Sequence, residues 1–322
     1  MRLGIFTAIY NGVPRRRMLD SVVKLGVDTV EIGTGNYPGS DHCDPDELLG
    51  DAAALRRFRR DLESRELTIS ALSQHGNPLH PREAVALSSH RTWVKTVHLA
   101  AELGVETVIA FSGCPGDGPA AQYPNWVTCA WPEEYVELVE WQWEARAIPY
   151  WQEQVELARA HGVRVAIEMH PGFLVYNPAT LLRLREATGP ELGVNFDPSH
   201  LFWQGIDPAA AIAELAGALF HVHAKDTFVD PPIARVDGPL DTTPLELDAE
   251  RAWKFRTVGD GHGAKTWQAI VRALQKGGYD GALSIEHEDP LLAPFEGLAR
   301  AVEFLRGVLE GPSRGAGRRA RG

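Results

Sequence analysis

The feature of this sequence that most constrains its fold is an alternation of short apolar segments with longer helical ones. Eight apolar runs rich in β-branched residues are separated by stretches whose apolar residues recur at spacings of three and four, as in amphipathic helices. Four of the joins, KLGVDTVEI, ELGVETVIA, AHGVRVAIE and KGGYDGALSI, repeat one unit of helix end, glycine, short loop and strand. This unit is typical of helices that connect parallel strands. The runs cover residues 3–9, 29–34, 68–74, 106–113, 163–170, 192–197, 218–226 and 281–289.

The predicted strands are apolar along their length, which indicates burial on both faces, as in a parallel sheet. Eight β/α units in order predict an α/β protein formed by a single (β/α)8 barrel over residues 1–310, with long loops after strands four and seven. An open, doubly wound sheet is the alternative, but its nucleotide-binding form is disfavoured because no GxGxxG follows the first strand. Residues 311–322, rich in glycine and arginine, are expected to form a disordered tail.

Charge and cysteine usage exclude several classes of partner. The formal net charge of −11 argues against a nucleic acid or an anionic membrane surface, since both need a basic face. The three cysteines, Cys43, Cys114 and Cys129, form no CxxC pair, which indicates a reducing compartment. With no signal-peptide pattern and no apolar run of membrane-spanning length, we expect a cytoplasmic protein.

Acids and histidines crowd the carboxyl ends of the predicted strands, where the active site of such a barrel lies. Taken alone, each is explained as well by a cap, a salt bridge or a core residue, and Asp-Pro-Ser at 197–199 is good turn chemistry. Together they would repel one another unless a cation compensated their charge. One carboxylate each from strands five, six and eight, with an imidazole from strand seven, therefore predict a site for Mn²⁺, Mg²⁺, Co²⁺ or Zn²⁺.

Five motifs of the second half resemble one family. IEMHP (167–171), NFDPSH (195–200), HVHAKD (221–226), FRTVGDGHG (255–263) and SIEHED (284–289) occur in the order seen in the xylose-isomerase-like TIM-barrel superfamily, and the resemblance covers roughly residues 1–309. In its ketose 3-epimerase branch, this likeness implies one divalent ion, Mn²⁺ first, held by Glu168, Asp197, His223 and Glu286. It also implies that His200 and Arg256 contact the substrate.

The resemblance further implies that Glu168 and Glu286 are the catalytic acid–base pair, moving a proton through an enediolate that the ion stabilises. Because metal coordination lowers the basicity of a carboxylate, we keep His170, Lys225 and Glu31 as alternative bases and as substrate-binding candidates. Further candidates for sugar binding are His75 and Asn77, which follow strand three, and Trp203, whose ring offers a stacking face.

The sequence therefore predicts a metal-dependent isomerase or epimerase acting on a sugar or keto-sugar. A lyase or dehydratase acting on a 3-keto-glycoside or keto-inositol and a non-catalytic sugar-binding homologue are the alternatives. The DNA-repair branch is disfavoured, because Phe255-Arg256-Thr257 stands where endonuclease IV has an Asp-x-His pair. The long loops after strands four and seven are expected to form a lid or to contact a second subunit in a homodimer or homotetramer.

Overall fold

The computed structural model describes residues 1–311, and its core is a closed barrel of eight parallel strands. The barrel strands are β1 (Arg2–Phe6), β2 (Thr29–Gly33), β3 (Thr68–Ser73), β4 (Thr107–Phe111), β5 (Arg164–Glu168), β6 (Leu192–Phe196), β7 (Leu219–Ala224) and β10 (Ala282–Ile285). Around the barrel they follow the order β1, β10, β7, β6, β5, β4, β3, β2, which confirms the predicted fold class. The tail predicted for 311–322 lies, beyond its first residue, outside the described residues.

Helices surround the barrel, and several begin at caps encoded in the sequence. Asp44, Asp51, Asn177, Asp207 and Asp230 each accept hydrogen bonds from backbone N–H groups of the first helical turn, which would otherwise lack partners. The helices are α1 (Arg15–Lys24), α2 (Pro45–Gly50), α3 (Ala52–Glu63), α4 (Glu83–Leu103), α5 (Glu133–Trp141), α6 (Ile148–Ala160), α7 (Pro178–Thr188), α8 (Ser199–Phe202), α9 (Pro208–Glu214), α10 (Pro231–Asp237), α11 (Ala264–Lys276) and α12 (Pro294–Glu310).

Large aromatic side chains fix the helices against the barrel. Trp93 on α4 and Trp151 on α6 are fully buried and meet edge to face, with ring centroids 5.5 Å apart. The indole N–H of Trp151 donates to the carbonyl oxygen of Ser112 at 2.8 Å. Burying an indole contributes a few kcal/mol, and this bond also fixes the chain just after β4, where the barrel opens.

Two insertions extend the carboxyl end of the barrel. After β4, residues 112–132 run without regular structure to α5. After β7, the chain forms an antiparallel ribbon of β8 (Asp226–Val229) and β9 (Trp253–Arg256), with α10 between them. The second segment, predicted as a loop, is therefore partly folded; its strands are too short to show a clear period in the sequence. Within the described residues, no helix combines the length and apolar character needed to cross a membrane.

Candidate active site and metal centre

The carboxyl ends of the barrel strands surround a cavity of about 400 Å³. Its wall combines aromatic rings, contributed largely by the first half of the barrel, with charged groups from the second half. This combination of an apolar wall and a few convergent polar groups is typical of small-molecule sites. The lining includes Phe6, Tyr37, His75, Phe111, Glu168, His170, Phe173, Lys225, Glu286 and Glu288.

Four side chains at one edge of this cavity form a cluster that we call the quartet: Glu168, Asp197, His223 and Glu286. Each offers one ligand atom, and these atoms all lie within 4.8 Å of one another. Asp197 Oδ2, His223 Nδ1 and Glu286 Oε2 are buried and have no hydrogen-bond partner among residues 1–311. His223 Nδ1 and Glu286 Oε2 approach to 3.0 Å, but not along a hydrogen-bonding direction.

Unpaired buried polar atoms are costly, and a cation among them would satisfy all three at once. Carboxylate oxygens with one imidazole nitrogen are also a donor set that divalent metals accept. The residues present therefore fit the metal ion that the sequence predicts.

The turn after β6 directs Asp197 toward the quartet. Pro198 favours an extended conformation for the residue before it, and Asp197 Oδ1 accepts the backbone N–H of Ser199 at 2.8 Å. Oδ2 is thereby left for the site. His200 follows on α8, with its Nε2 atom 3.3 Å from Asp197 Oδ2 and 3.4 Å from Glu168 Oε1. That nitrogen is also buried without a hydrogen bond in the described chain, so the turn and the site are built by the same residues.

Glu168, the last residue of β5, is fixed through one of its two oxygens. Its Oε2 atom accepts hydrogen bonds from His75 Nε2 and Asn195 Nδ2, both at 2.8 Å. Burial alone would raise the pKa of Glu168, but the imidazoles of His75 and His223 outweigh it and hold this pKa well below its ordinary value. Glu168 is therefore an anion, and Oε1 is the oxygen left for a ligand.

The other members of the quartet also have shifted pKa values. Burial would raise the pKa of Glu286, but Lys225 and His223 lower it to about 2. Burial raises the pKa of Asp197 to about 6, with His200 and Lys225 opposing the shift. Burial would lower the pKa of His223, but Glu31, Glu168 and Glu286 raise it well above its ordinary value. The carboxylates thus hold a positive charge on the imidazole, and a divalent ion would supply that charge in place of the proton.

Lys225 and His170 lie in the cavity wall. The Lys225 ammonium is 3.3 Å from Glu286 Oε1 and 2.5 Å from Glu288 Oε2, and it lies 4.3 Å from the centroid of the Phe255 ring. Burial would lower the pKa of Lys225, but these carboxylates raise it, so the group is a cation. Burial lowers the pKa of His170 to about 3, which keeps its imidazole neutral. One wall therefore presents a fixed cation and a neutral imidazole.

Five of the predicted substrate-binding residues lie outside the cavity lining. His200 lies beside the quartet, as described above, and partners within the fold engage the other four. Arg256 forms a bidentate ion pair with Asp248, at 2.9 and 2.6 Å. The Asn77 side chain donates to the carbonyl oxygen of Cys114 and accepts its N–H, both at 3.0 Å. Trp203 stacks on Trp253 with centroids 4.8 Å apart and rings parallel within 1°.

The fourth, Glu31, is fully buried beneath His223 rather than in the cavity wall. All four remain predictions as substrate contacts, although none of them lies where the cavity would present it to a ligand.

The structure also brings in residues that the sequence did not single out. Phe111, at the end of β4, stacks on Phe173 with centroids 4.3 Å apart and lies 4.6 Å from the His75 ring. Nothing in an apolar run distinguishes such a wall residue from the core. Asn195, in the NFDPSH motif, was not predicted as a site residue, yet its side chain donates to Glu168 Oε2. Its position two residues before Asp197, at the end of β6, is the signal that could have found it.

Known proteins share the sequence pattern and the barrel fold of this chain. Residues 19–308 match the sequence model of a family described as xylose isomerase-like TIM barrel. The chain belongs to this family. Among its relatives, the "Uncharacterized protein YfiH" of Bacillus subtilis (strain 168) is 41% identical over 310 residues, which are 95% of this chain and 98% of that protein. The resemblance inferred from the motifs is confirmed.

The chain spans about half the length of the two relatives with functional names that are given next. The "Rhizopine catabolism protein MocC" of Rhizobium meliloti is 33% identical over 153 residues, 46% of this chain and 44% of that protein. An "Inosose dehydratase" of Lacticaseibacillus casei is 29% identical over 158 residues, 48% of this chain and 51% of that protein. A solved D-tagatose 3-epimerase-like protein superposes with a TM-score of 0.65 at 19% identity, covering 96% of this chain and 97% of its own, and so shows the shared fold.

Proposed function

We propose that this protein is a divalent-metal-dependent isomerase or epimerase that moves a proton on a sugar or keto-sugar. The observation that carries the proposal is the convergence of three unpaired buried atoms, Asp197 Oδ2, His223 Nδ1 and Glu286 Oε2, at the edge of a cavity with aromatic walls. With Glu168 they would hold one ion, Mn²⁺ first, with Mg²⁺, Co²⁺ and Zn²⁺ as alternatives. A divalent ion there would stabilise negative charge on the oxygens of a substrate whose neighbouring carbon loses a proton.

Of the two carboxylates assigned to proton transfer, Glu286 is the better placed. Its side chain is 16% exposed, toward the cavity that it lines, whereas that of Glu168 is 3% exposed and has one oxygen fixed by His75 and Asn195. Epimerisation needs a second acid–base group, because the proton leaves one face of the carbon and returns to the other. We assign that role to Glu168, which also lines the cavity, through Oε1.

The remaining wall residues would grip the sugar. The Lys225 ammonium can donate to substrate hydroxyls, and the unpaired Nε2 atom of His200 lies at the same edge. Phe6 and Phe111 supply apolar faces that exclude water and contact the C–H side of a sugar ring. The cavity volume of about 400 Å³ suits a small sugar or cyclitol.

A dehydratase acting on a keto-inositol or 3-keto-glycoside is the second candidate, and Lys225 is the observation that favours it. Elimination of water needs an acid that protonates the departing hydroxyl, and a buried ammonium beside Glu286 is placed for this role. The likeness to proteins named inosose dehydratase, over half of their length, supports the same possibility. Both reactions begin with removal of a proton next to a carbonyl group.

One experiment separates the candidates. The Mn²⁺-loaded protein is incubated with keto-sugars and keto-inositols in D₂O, the ion is removed with EDTA, and the products are followed by NMR and mass spectrometry. Deuterium incorporation without loss of water supports an isomerase or epimerase, and loss of water supports a dehydratase. Absence of both with every substrate, while the loaded protein still binds sugar, overturns the proposal in favour of a non-catalytic sugar-binding homologue.

We keep a cytoplasmic location, a small-molecule partner and a homodimer or homotetramer as predictions. In the described chain all three cysteines are free, with Cys43 and Cys114 buried and Cys129 exposed, and an exposed thiol suits a reducing compartment. Size-exclusion chromatography with light scattering would determine the oligomeric state.

A further inference from the structure

A second group of metal-ligand type lies deeper in the barrel than the quartet. Glu31 on β2 and His221 and His223 on β7 are all buried, and their ligand atoms lie within 4.8 Å of one another. In this group, unlike the quartet, Glu31, both nitrogens of His221 and the Nε2 atom of His223 all have hydrogen-bond partners. Glu31 accepts hydrogen bonds from the hydroxyls of Ser73 and Ser284, and each of its oxygens lies 3.0 Å from His223 Nε2. Because the oxygens of Glu31 already have hydrogen-bond partners, we interpret this carboxylate as a support for the neighbouring quartet and not as the ligand of a second metal ion.

Contact with Glu31 determines which nitrogen of His223 is free. An ionised carboxylate only accepts hydrogen bonds, so His223 Nε2 must carry a hydrogen and donate it. In the neutral imidazole the lone pair is then on Nδ1, which is the atom that lies 3.0 Å from Glu286 and lacks a partner within residues 1–311. The Phe6 ring, stacked on His223 with centroids 5.5 Å apart, further restricts rotation of the imidazole.

A break in strand register lies beside Glu31. Between β2 and β3, Val30 pairs with Ile69 but Glu31 pairs with Ala71, so the extra residue is in β3. The register of β2 against β1 is regular at this point, with Phe6 opposite Glu31. Both oxygens of Glu31 reach His223 Nε2 across the barrel interior.

A second bulge, between β6 and β7, places Asn195 opposite His221. His221 Nδ1 donates to Asn195 Oδ1 at 3.0 Å, and Asn195 Nδ2 donates to Glu168 Oε2 at 2.8 Å. Residues below the quartet therefore fix two of its four members. Glu31 contacts His223 directly, and His221 acts on Glu168 through Asn195.

We propose that Glu31 is a positioning residue of the metal centre, which fixes the ring of His223 with hydrogen on Nε2 and the Nδ1 lone pair directed at the ion. It acts through His223 and does not touch the substrate. Carboxylates behind metal-binding histidines orient the ring and increase its basicity as a ligand. This inference rests on the metal centre of the proposed function.

The test is Co²⁺ binding by the variants Glu31→Gln and Glu31→Ala, followed by calorimetry and by the visible absorption spectrum of the bound ion. Glu31→Gln keeps the shape and one acceptor but removes the charge, so we expect about tenfold weaker binding. Glu31→Ala removes the charge and both acceptor oxygens, and we expect about hundredfold weaker Co²⁺ binding with an altered absorption spectrum. The matched control is Asp61→Asn, which changes another buried carboxylate, paired with Arg15 and Arg16 and remote in sequence from the quartet, and should bind Co²⁺ like the wild type.

Wild-type affinity and spectrum in a folded Glu31→Gln protein would overturn the inference while leaving the metal centre intact. Failure of the wild type itself to bind one equivalent of Co²⁺ would instead overturn the proposed function. If neither Glu31 variant folds, the Zn²⁺-loaded wild type decides by ¹⁵N NMR of the histidine rings. Hydrogen on Nε2 of His223 supports the inference, and hydrogen on Nδ1 contradicts it.

Discussion

The two halves of the barrel contribute different kinds of residue to one site. The quartet lies on β5 and β7 and directly after β6 and β10, and three of its members have buried atoms without partners in the described chain. The first four strands carry residues that touch the quartet or line the cavity: Phe6 against His223, Glu31 under His223, His75 on Glu168, and Phe111 in the wall. Three of the four proposed ligands are distinguished by an atom without a partner, and the proposed supports by the hydrogen bonds and ring contacts that they make.

This difference implies an order of effects. Under the proposed function, removing a ligand would delete a bond to the ion, whereas removing a support would leave the ligand in place but less well directed. Substitutions in the second half should therefore cost more metal affinity and activity than substitutions in the first half, and each prediction below could break that order.

The largest effect is expected for Glu286→Gln. The substitution keeps the size of the side chain but removes both a charged ligand and the better placed base, so we expect kcat to fall by about a thousandfold or more. Steady-state kinetics with a substrate found by the D₂O experiment measures this. Glu303→Gln, at an exposed position of α12, should retain wild-type kcat. A loss of tenfold or less in Glu286→Gln would move the base elsewhere in the wall.

Lowering the pH should weaken metal binding through protons on residues of the second half of the barrel, and not through residues of the first half. Asp197, with its pKa raised to about 6, binds a proton as the pH falls through 6, and His223, with its pKa raised, is already protonated there. Both protons compete with the ion, so Asp197 by itself should cost about tenfold in affinity between pH 7 and pH 5. Glu31 and Glu168, whose pKa values are lowered, stay ionised and contribute nothing.

Calorimetric titration with Mn²⁺ across this range measures the effect. Affinity that does not change between pH 7 and pH 5 would contradict the assignment of both Asp197 and His223 as ligands.

A smaller effect is expected for His75→Ala. Glu168 Oε2 would lose one of its two hydrogen bonds while Oε1 remains available, and we expect about tenfold weaker Mn²⁺ binding, the lower end for support residues. His98→Ala on α4, which removes a half-buried imidazole from a different part of the chain, should bind Mn²⁺ like the wild type. If His75→Ala weakened Mn²⁺ binding as much as Glu286→Gln does in the same titration, His75 would be a ligand and the distinction between the two halves of the barrel would not hold.

The same contrast explains how far sequence could lead. The convergence of the quartet was predictable, because each of its residues stands near the end of a buried strand or just after it, within a motif, and the barrel places all strand ends at one edge. Arg256 was assigned to the substrate on a motif, yet its charge is taken by Asp248 of the same insertion, a pairing that depends on how the ribbon folds. Glu31 was a lone acid on an apolar strand, and its contact with His223 joins residues on strands that are far apart in the chain, which no local pattern reveals.

The mildest prediction concerns the aromatic wall. Phe111→Leu keeps an apolar side chain but removes the ring that stacks on Phe173, so KM should rise about threefold to tenfold while kcat stays near the wild-type value. Mn²⁺ affinity is the decisive second measurement, because Phe111 also packs against His75, 4.6 Å away between ring centroids. Unchanged affinity would make Phe111 purely a substrate wall. A tenfold loss, matching that of His75→Ala, would instead place Phe111 among the supports of Glu168, acting on the ion through two intermediate side chains.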